Sequence, residues 1–149
     1  MDLKKFIRNV PNFPTPGITF RDITPVLSNY KALKQAVDEM IKPFEGKKID
    51  AVLGIESRGF ILGSPAALKL KAGFIPVRKK GKLPRAVISK SLVKEYGNDA
   101  IEIHKDALKP GMKILIVDDV LATGGTLSSV LEIVKKTKAR VCGVTVLVD

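Results

Sequence analysis

Residues 114–126 read Ile114-Leu115-Ile116-Val117-Asp118-Asp119-Val120-Leu121-Ala122-Thr123-Gly124-Gly125-Thr126. A run of apolar residues without polar alternation describes a strand buried on both faces, because a strand with one wet face alternates. Two acids, a small-residue loop and the helical spacing of Leu127, Val130, Leu131 and Val134 follow. Strand, polar turn and helix in that order belong to a parallel sheet covered by helices. The carboxyl ends of such strands are where these folds bind ligands.

The same alternation extends to both sides. Residues 30–44 predict a helix, with Leu33, Val37, Met40 and Ile41 at spacings of three and four and a stop at Pro43 and Gly46. Residues 49–55 then read as a buried strand, and residues 59–71 have helical length and end at Gly73. A short strand at 74–77 gives way to the basic run Arg78, Lys79, Lys80, Lys82. Residues 81–98 carry Gly, Pro, Lys and Ser with weak alternation at Val87, Ile88, Leu92 and Val93, which suits a long mobile hairpin or lid. Pro110-Gly111 makes a turn, 113–117 and 140–148 read as strands, and 127–136 reads as a helix. The expectation is an α/β fold in one domain over residues 1–149, its central sheet mostly parallel.

Composition agrees with one domain. The chain has 149 residues, 45% hydrophobic and 28% charged, and a chain of this size buries roughly 70% of its unfolded surface. No apolar stretch approaches the length of a membrane helix, and charges at Asp2, Lys4, Lys5 and Arg8 interrupt any signal-like core. A cytoplasmic location without membrane contact is expected. The lone Cys142 lies in the apolar run 141–148 and is expected to pack as a small hydrophobe. The lone His104 lacks ligand-spaced neighbours, so a solvated or hydrogen-bonded role is expected rather than a transition-metal site. The formal net charge of +11 implies an anionic partner. Its cations are dispersed, Trp is absent, and no basic block stands beside stacking aromatics, so no specific nucleic-acid site is expected.

The chemistry concentrates at the turn after residue 117. Main-chain N–H groups at a glycine-containing helix start can cradle a phosphate, and Thr123 and Thr126 add hydroxyls to Ala122, Gly124 and Gly125. Carboxylates beside a phosphate repel it unless they face hydroxyl donors or a metal, so Asp118 and Asp119 suit two ribose hydroxyls and a hydrated Mg²⁺. The alternative is that they only begin a turn and cap a helix. No Lys follows the glycines and no Gly-x-Gly-x-x-Gly follows a strand, which excludes the P-loop and dinucleotide readings.

Residues 117–126 resemble the signature with which the type I phosphoribosyltransferases bind 5-phosphoribosyl pyrophosphate (PRPP). Three further segments resemble the adenine phosphoribosyltransferases of that family: Phe13-Pro14-Thr15-Pro16-Gly17-Ile18-Thr19-Phe20-Arg21-Asp22-Ile23-Thr24, Glu56-Ser57-Arg58-Gly59-Phe60, and Pro76-Val77-Arg78-Lys79-Lys80-Gly81-Lys82-Leu83-Pro84. The resemblance runs in register from near residue 6 to residue 149.

It implies the type I phosphoribosyltransferase fold with a small N-terminal hood and a lid hairpin, a homodimer, and Mg²⁺-dependent purine salvage from adenine and PRPP to AMP and pyrophosphate. Phe20 would stack on adenine while main-chain groups at Arg21 read its edge; the other reading of Phe20 is ordinary core. Arg58, Arg78, Lys79 and Lys82 would converge on the pyrophosphate, with exposed ion pairs as the alternative. Asp118 and Asp119 would hold the ribose and, through water, the Mg²⁺. Glu95, in Glu95-Tyr96-Gly97, matches the proposed acid–base residue, with a solvated hairpin carboxylate as the alternative. Arg58 would also assist catalysis by stabilising the leaving group.

Family members usually continue beyond the strand that ends at Asp149, so a fragment or a short member with lowered activity is expected. Two other functions compete: a 6-oxopurine phosphoribosyltransferase, since the PRPP signature is shared, and a PRPP-sensing nucleic-acid-binding regulator without catalysis.

Overall fold

The computed structural model describes residues 1–92, 99–121 and 124–149. At the N-terminus β1 (Arg8–Val10) and β2 (Phe20–Asp22) pair antiparallel, Val10 opposite Phe20, as a small hood. Arg8 Nε donates to Asp22 Oδ2 at 2.9 Å, and Asp22 Oδ1 accepts the Thr24 N–H at 2.9 Å, which turns the chain into α1 (Thr24–Leu27). The next helix, α2 (Tyr30–Ile41), starts where Asn29 Oδ1 accepts the Ala32 N–H at 3.0 Å, satisfying one orphan donor of the first turn. It passes into a 3₁₀ turn that holds Pro43.

From there β3 (Ala51–Ile55), α3 (Arg58–Lys69), β4 (Gly73–Lys79), β5 (Val87–Ser91), β6 (Ala100–His104), β7 (Lys113–Val120), α4 (Gly125–Lys136) and β8 (Arg140–Val148) follow. The main sheet has the order β5-β6-β4-β3-β7-β8. The pairings β4/β3, β3/β7 and β7/β8 are parallel, and β6 pairs antiparallel with both β4 and β5.

All five residues of β3 are buried because helices cover both faces of the sheet. Side chains alternate between faces. Val52, Leu115 and Val117 meet Val37, Met40 and Ile41 of α2 and Leu62, Ala66 and Ala67 of α3. Ala51, Leu53, Ile55, Ile114 and Ile116 meet Val130, Ile133 and Val134 of α4. Burying one of the larger aliphatic side chains contributes about 1.5–3 kcal/mol, so these two layers hold β3 and β7 rigidly where their carboxyl ends must position chemistry.

Several local readings change. The strand read as 74–77 continues through Arg78 and Lys79, since β6 pairs there, Arg78 opposite Glu102 and Lys79 opposite Ile101. The strand read as 113–117 continues through both acids, since β8 pairs as far as Val120, opposite Val148. Strand β6 is additional to the sequence reading. Of the segment read as a lid hairpin, Val87–Ser91 is β5 at the sheet edge, and residues 93–98 lie outside the described residues. Cys142 is exposed, contrary to the packed position expected for it. The ladder passes from Ile114 opposite Val141 to Leu115 opposite Gly143, so Cys142 is the extra residue of a bulge and turns out of the pleat. His104 is half-buried, and its Nε2 has no hydrogen-bond partner among the described residues. Among those residues no helix is long and apolar enough to cross a membrane.

Candidate functional site

Strands β3, β4 and β7 run parallel, so the segments that leave their carboxyl ends converge at one edge of the sheet. Glu56, Ser57 and Arg58 follow β3, Lys79 ends β4, Asp118 and Asp119 lie near the end of β7, and Thr126 lies in the first turn of α4. With Phe20 and Arg21 of the hood they line a cleft of about 520 Å³.

The two acids occupy successive positions near the end of β7, and both carboxyls face the start of α3. Asp119 is buried, and its Oδ2 lies 2.8 Å from Nε of Arg58, the first residue of α3. Asp118 is half-buried, and its Oδ1 accepts the Asp119 N–H at 2.8 Å. Burial, then the neighbouring carboxyl of Asp119, pushes the Asp118 carboxyl up to about 7 against the opposing main-chain hydrogen bond and the Arg58 charge. Gly59 lets α3 approach the two acids: a Cβ there would lie 2.9 Å from the Val117 carbonyl oxygen and 3.3 Å from Asp118 Oδ1.

The basic residues around β4 gather on Glu56. Its Oε1 accepts from Arg78 Nε at 3.1 Å and from the Lys79 N–H at 3.1 Å, and its Oε2 accepts from Lys82 Nζ at 2.7 Å. Burial acts to raise the Glu56 carboxyl, but the bonds from Lys82, the Lys79 main chain and Arg78 together hold it down at about 2. It is therefore ionised throughout the physiological range.

Under the hood, the half-buried Phe20 ring meets Phe13 edge-on at 5.3 Å, and the Arg58 guanidinium lies 5.0 Å from its centroid. Exposed Arg21 bonds to Asn9 Oδ1 through its side chain. At the opposite wall Gly124 takes the left-handed conformation at the cap of α4, with φ +77°, which glycine adopts without steric cost. Gly125 then opens the helix, whose N-terminal end carries the positive pole of the helix dipole and suits an anion.

Thus Phe20, Arg21, Arg58, Lys79, Asp118, Asp119 and Thr126 share one cleft, while Arg78 and Lys82 stand beside it through Glu56. Arg58 pairs with Asp119, whereas Arg78 and Lys82 pair with Glu56. Ala122, Thr123 and Glu95 lie outside the described residues. Sequence reasoning assigned no role to Glu56 or to Glu102, whose Oε1 accepts the Gly81 N–H at 2.8 Å. A signal for Glu56 existed: in parallel register Ile55 stands beside Val77, so the next acid falls beside Arg78.

Comparison with known proteins places these features in a family. The phosphoribosyl transferase domain matches residues 26–149. An adenine phosphoribosyltransferase of Rhodopirellula baltica is 50% identical over 148 residues, covering 99% of this chain and 72% of that one. The crystal structure of adenine phosphoribosyltransferase from Rhodothermus marinus superposes with a TM-score of 0.91 at 51% identity, covering 97% of this chain and 82% of that one. The enzyme from Saccharomyces cerevisiae, complexed with D-2,5-dideoxy-2,5-imino-altritol 1,6-bisphosphate and adenine, superposes with a TM-score of 0.92 at 39% identity, covering 98% and 85%.

Proposed function

The chain belongs to the adenine phosphoribosyltransferases, and from that premise we propose how its cleft divides the work of the reaction. The enzyme serves purine salvage, transferring the 5-phosphoribosyl group of PRPP to adenine and releasing AMP and pyrophosphate. The observation that carries the assignment of roles is the meeting of an aromatic platform, cations and paired acids around one cleft.

Phe20 stacks on adenine and the main chain at Arg21 reads its edge. Asp118 and Asp119 accept the ribose hydroxyls, for which Asp119 gives up its ion pair with Arg58. The 5′-phosphate rests on the α4 N-terminus and the loop residues Ala122, Thr123, Gly124, Gly125 and Thr126. Arg58, Arg78, Lys79 and Lys82 neutralise the pyrophosphate. The bond from the anomeric carbon to the pyrophosphate oxygen breaks with its electron pair on the leaving group, and a purine nitrogen closes a C–N bond from the opposite face. Glu95 takes the proton that this nitrogen sheds. Catalysis is then mainly positioning and electrostatics.

Among the described residues no group of three or more His, Cys, Asp or Glu is arranged to hold a metal. Two adjacent carboxyls lining the cleft fit instead a Mg²⁺ that substrate oxygens and water would chiefly hold, with Asp118 and Asp119 reaching it through water. When bound, the ion supplies charge neutralisation at the diphosphate. The protein is also read as one phosphoribosyltransferase domain over residues 1–149 that works as a cytoplasmic homodimer, with the N-terminal segments at its interface; sedimentation equilibrium tests the dimer.

Nucleotide formation from PRPP and Mg²⁺, with adenine, hypoxanthine, guanine or xanthine offered separately, tests the assignment, with Asp119→Asn as a control and a chelator as a second arm. Product from adenine alone, lost with the chelator, is expected. Turnover of a 6-oxopurine would move the base specificity, and PRPP binding without product from any base would indicate a sensor.

A further inference from the structure

The mechanism above leaves two buried carboxylates without a part in it. Glu56 is 8% exposed at its side chain and Glu102 is 7% exposed. Both grip the same basic turn. Glu56 takes Arg78 through Nε, Lys82 through Nζ and Lys79 through its main chain, while Glu102, opposite Arg78 across the β4/β6 ladder, takes the Gly81 N–H. Below, the Arg78 guanidinium lies 5.9 Å from the Phe60 centroid. Arg78 is therefore gripped through Nε and one face, and its side-chain hydrogen bond among the described residues runs through Nε, not through its two terminal nitrogens. Those nitrogens form the fork that suits a phosphate oxygen pair.

We propose that Glu56 is a positioning residue for pyrophosphate: it fixes Arg78 and Lys82 in the arrangement that receives the diphosphate, and Glu102 anchors the far side of the turn. The inference rests on the reading that this turn binds the pyrophosphate half of PRPP. Arg and Lys side chains lose substantial rotamer freedom when immobilised, and a carboxylate that has already ordered them removes that cost from the binding step. Charge alone argues the other way. A carboxylate beside the cations weakens their field, so its removal would tighten anion binding if ordering counted for nothing.

The experiment titrates inorganic pyrophosphate with Mg²⁺ into the wild type, Glu56→Gln and Glu56→Asp by calorimetry, with thermal unfolding as a control for folding. Glu56→Gln removes the charge at constant shape, whereas Glu56→Asp keeps the charge but cannot span all three partners. Both are expected to weaken pyrophosphate by roughly tenfold, the scale of one charge-assisted hydrogen bond. In steady state the KM for PRPP rises and the KM for adenine stays. In an Arg78→Ala, Lys82→Ala background, Glu56→Gln adds nothing further, because the carboxylate acts through those two side chains. Unchanged or tighter pyrophosphate binding by Glu56→Asp, or by folded Glu56→Gln, overturns the proposal. Failure of the wild type to bind pyrophosphate removes the reading beneath it and the proposal together.

Discussion

Asp119, buried in β7, and Arg58, at the first residue of α3, face each other with Oδ2 and Nε 2.8 Å apart. The pair joins two elements at the floor of the cleft and gives a buried carboxylate its counter-charge. The Asp119 side chain is 5% exposed and that of Arg58 is 38% exposed, so the pair lies between the exposed and buried limits.

Removing either partner has unequal consequences. Arg58→Ala strands a buried carboxylate and is expected to cost between about 1 and 3 kcal/mol, bracketed by exposed and buried ion pairs. Asp119→Asn leaves an exposed-side cation that water can solvate, so it destabilises less. It is nevertheless expected to lower kcat/KM by roughly tenfold to a hundredfold through lost ribose contacts. Thermal unfolding and steady-state kinetics of both variants check the two statements; a lower Tm for Asp119→Asn than for Arg58→Ala would contradict them.

Gly59 tests how closely α3 must approach the acids. The Cβ of Gly59→Ala would sit 2.9 Å from the Val117 carbonyl oxygen and 3.3 Å from Asp118 Oδ1. The first neighbour is backbone in a central strand and cannot rotate away, so α3 must shift, at about 1–3 kcal/mol for such overpacking. The variant is expected to have a lower Tm and a raised KM for PRPP, and wild-type values for both would show that the contact relaxes freely.

Acid lability should trace to Glu56. Its carboxyl lies at about 2 in the fold against an ordinary 4.5. A group whose pKa is lower in the folded state contributes stability above its unfolded value and loses it as the pH falls through the folded value. Urea midpoints of the wild type are therefore expected to fall as the pH drops from about 4.5 towards 2. Glu56→Gln should be less stable at neutral pH and show a shallower decline in that window; parallel curves would assign the decline to other groups.

Much of this was legible in the chain itself, for a physical reason. Ala51–Ile55 and residues 114–117 are apolar runs that only a doubly covered sheet can bury, and α4 repeats at helical spacing. What escaped depends on pairing between distant segments. Ala100–His104 carries an acid, Glu102, at a buried position, which spoils the apolar signature until Gly81 is seen to donate to it. Arg78, Lys79, Asp118 and Asp119 look like loop residues, yet ladders to β6 and β8 keep them in strands. The bulge at Cys142 leaves no mark in composition. The pairing of Arg58 with Asp119 likewise depends on how α3 meets the end of β7, which no local pattern records.

Phe20 offers the sharpest separation of the two substrates. Arg58 lies 5.0 Å from its ring centroid and Phe13 meets it edge-on, so the ring is already held at a fixed angle by neighbours on two sides. Adenine must displace the guanidinium to stack there, and stacking of a base on an aromatic ring is worth about 1–3 kcal/mol. Phe20→Leu keeps apolar bulk but removes the flat face. It is expected to raise the KM for adenine by roughly fivefold to a hundredfold, the same stacking energy expressed as a ratio. The KM for PRPP should move much less than that for adenine, because of the proposed PRPP contacts only Arg58 rests on that ring. A variant in which both constants rise together would show that the ring supports the fold of the hood, and one in which neither moves would place adenine elsewhere in the cleft.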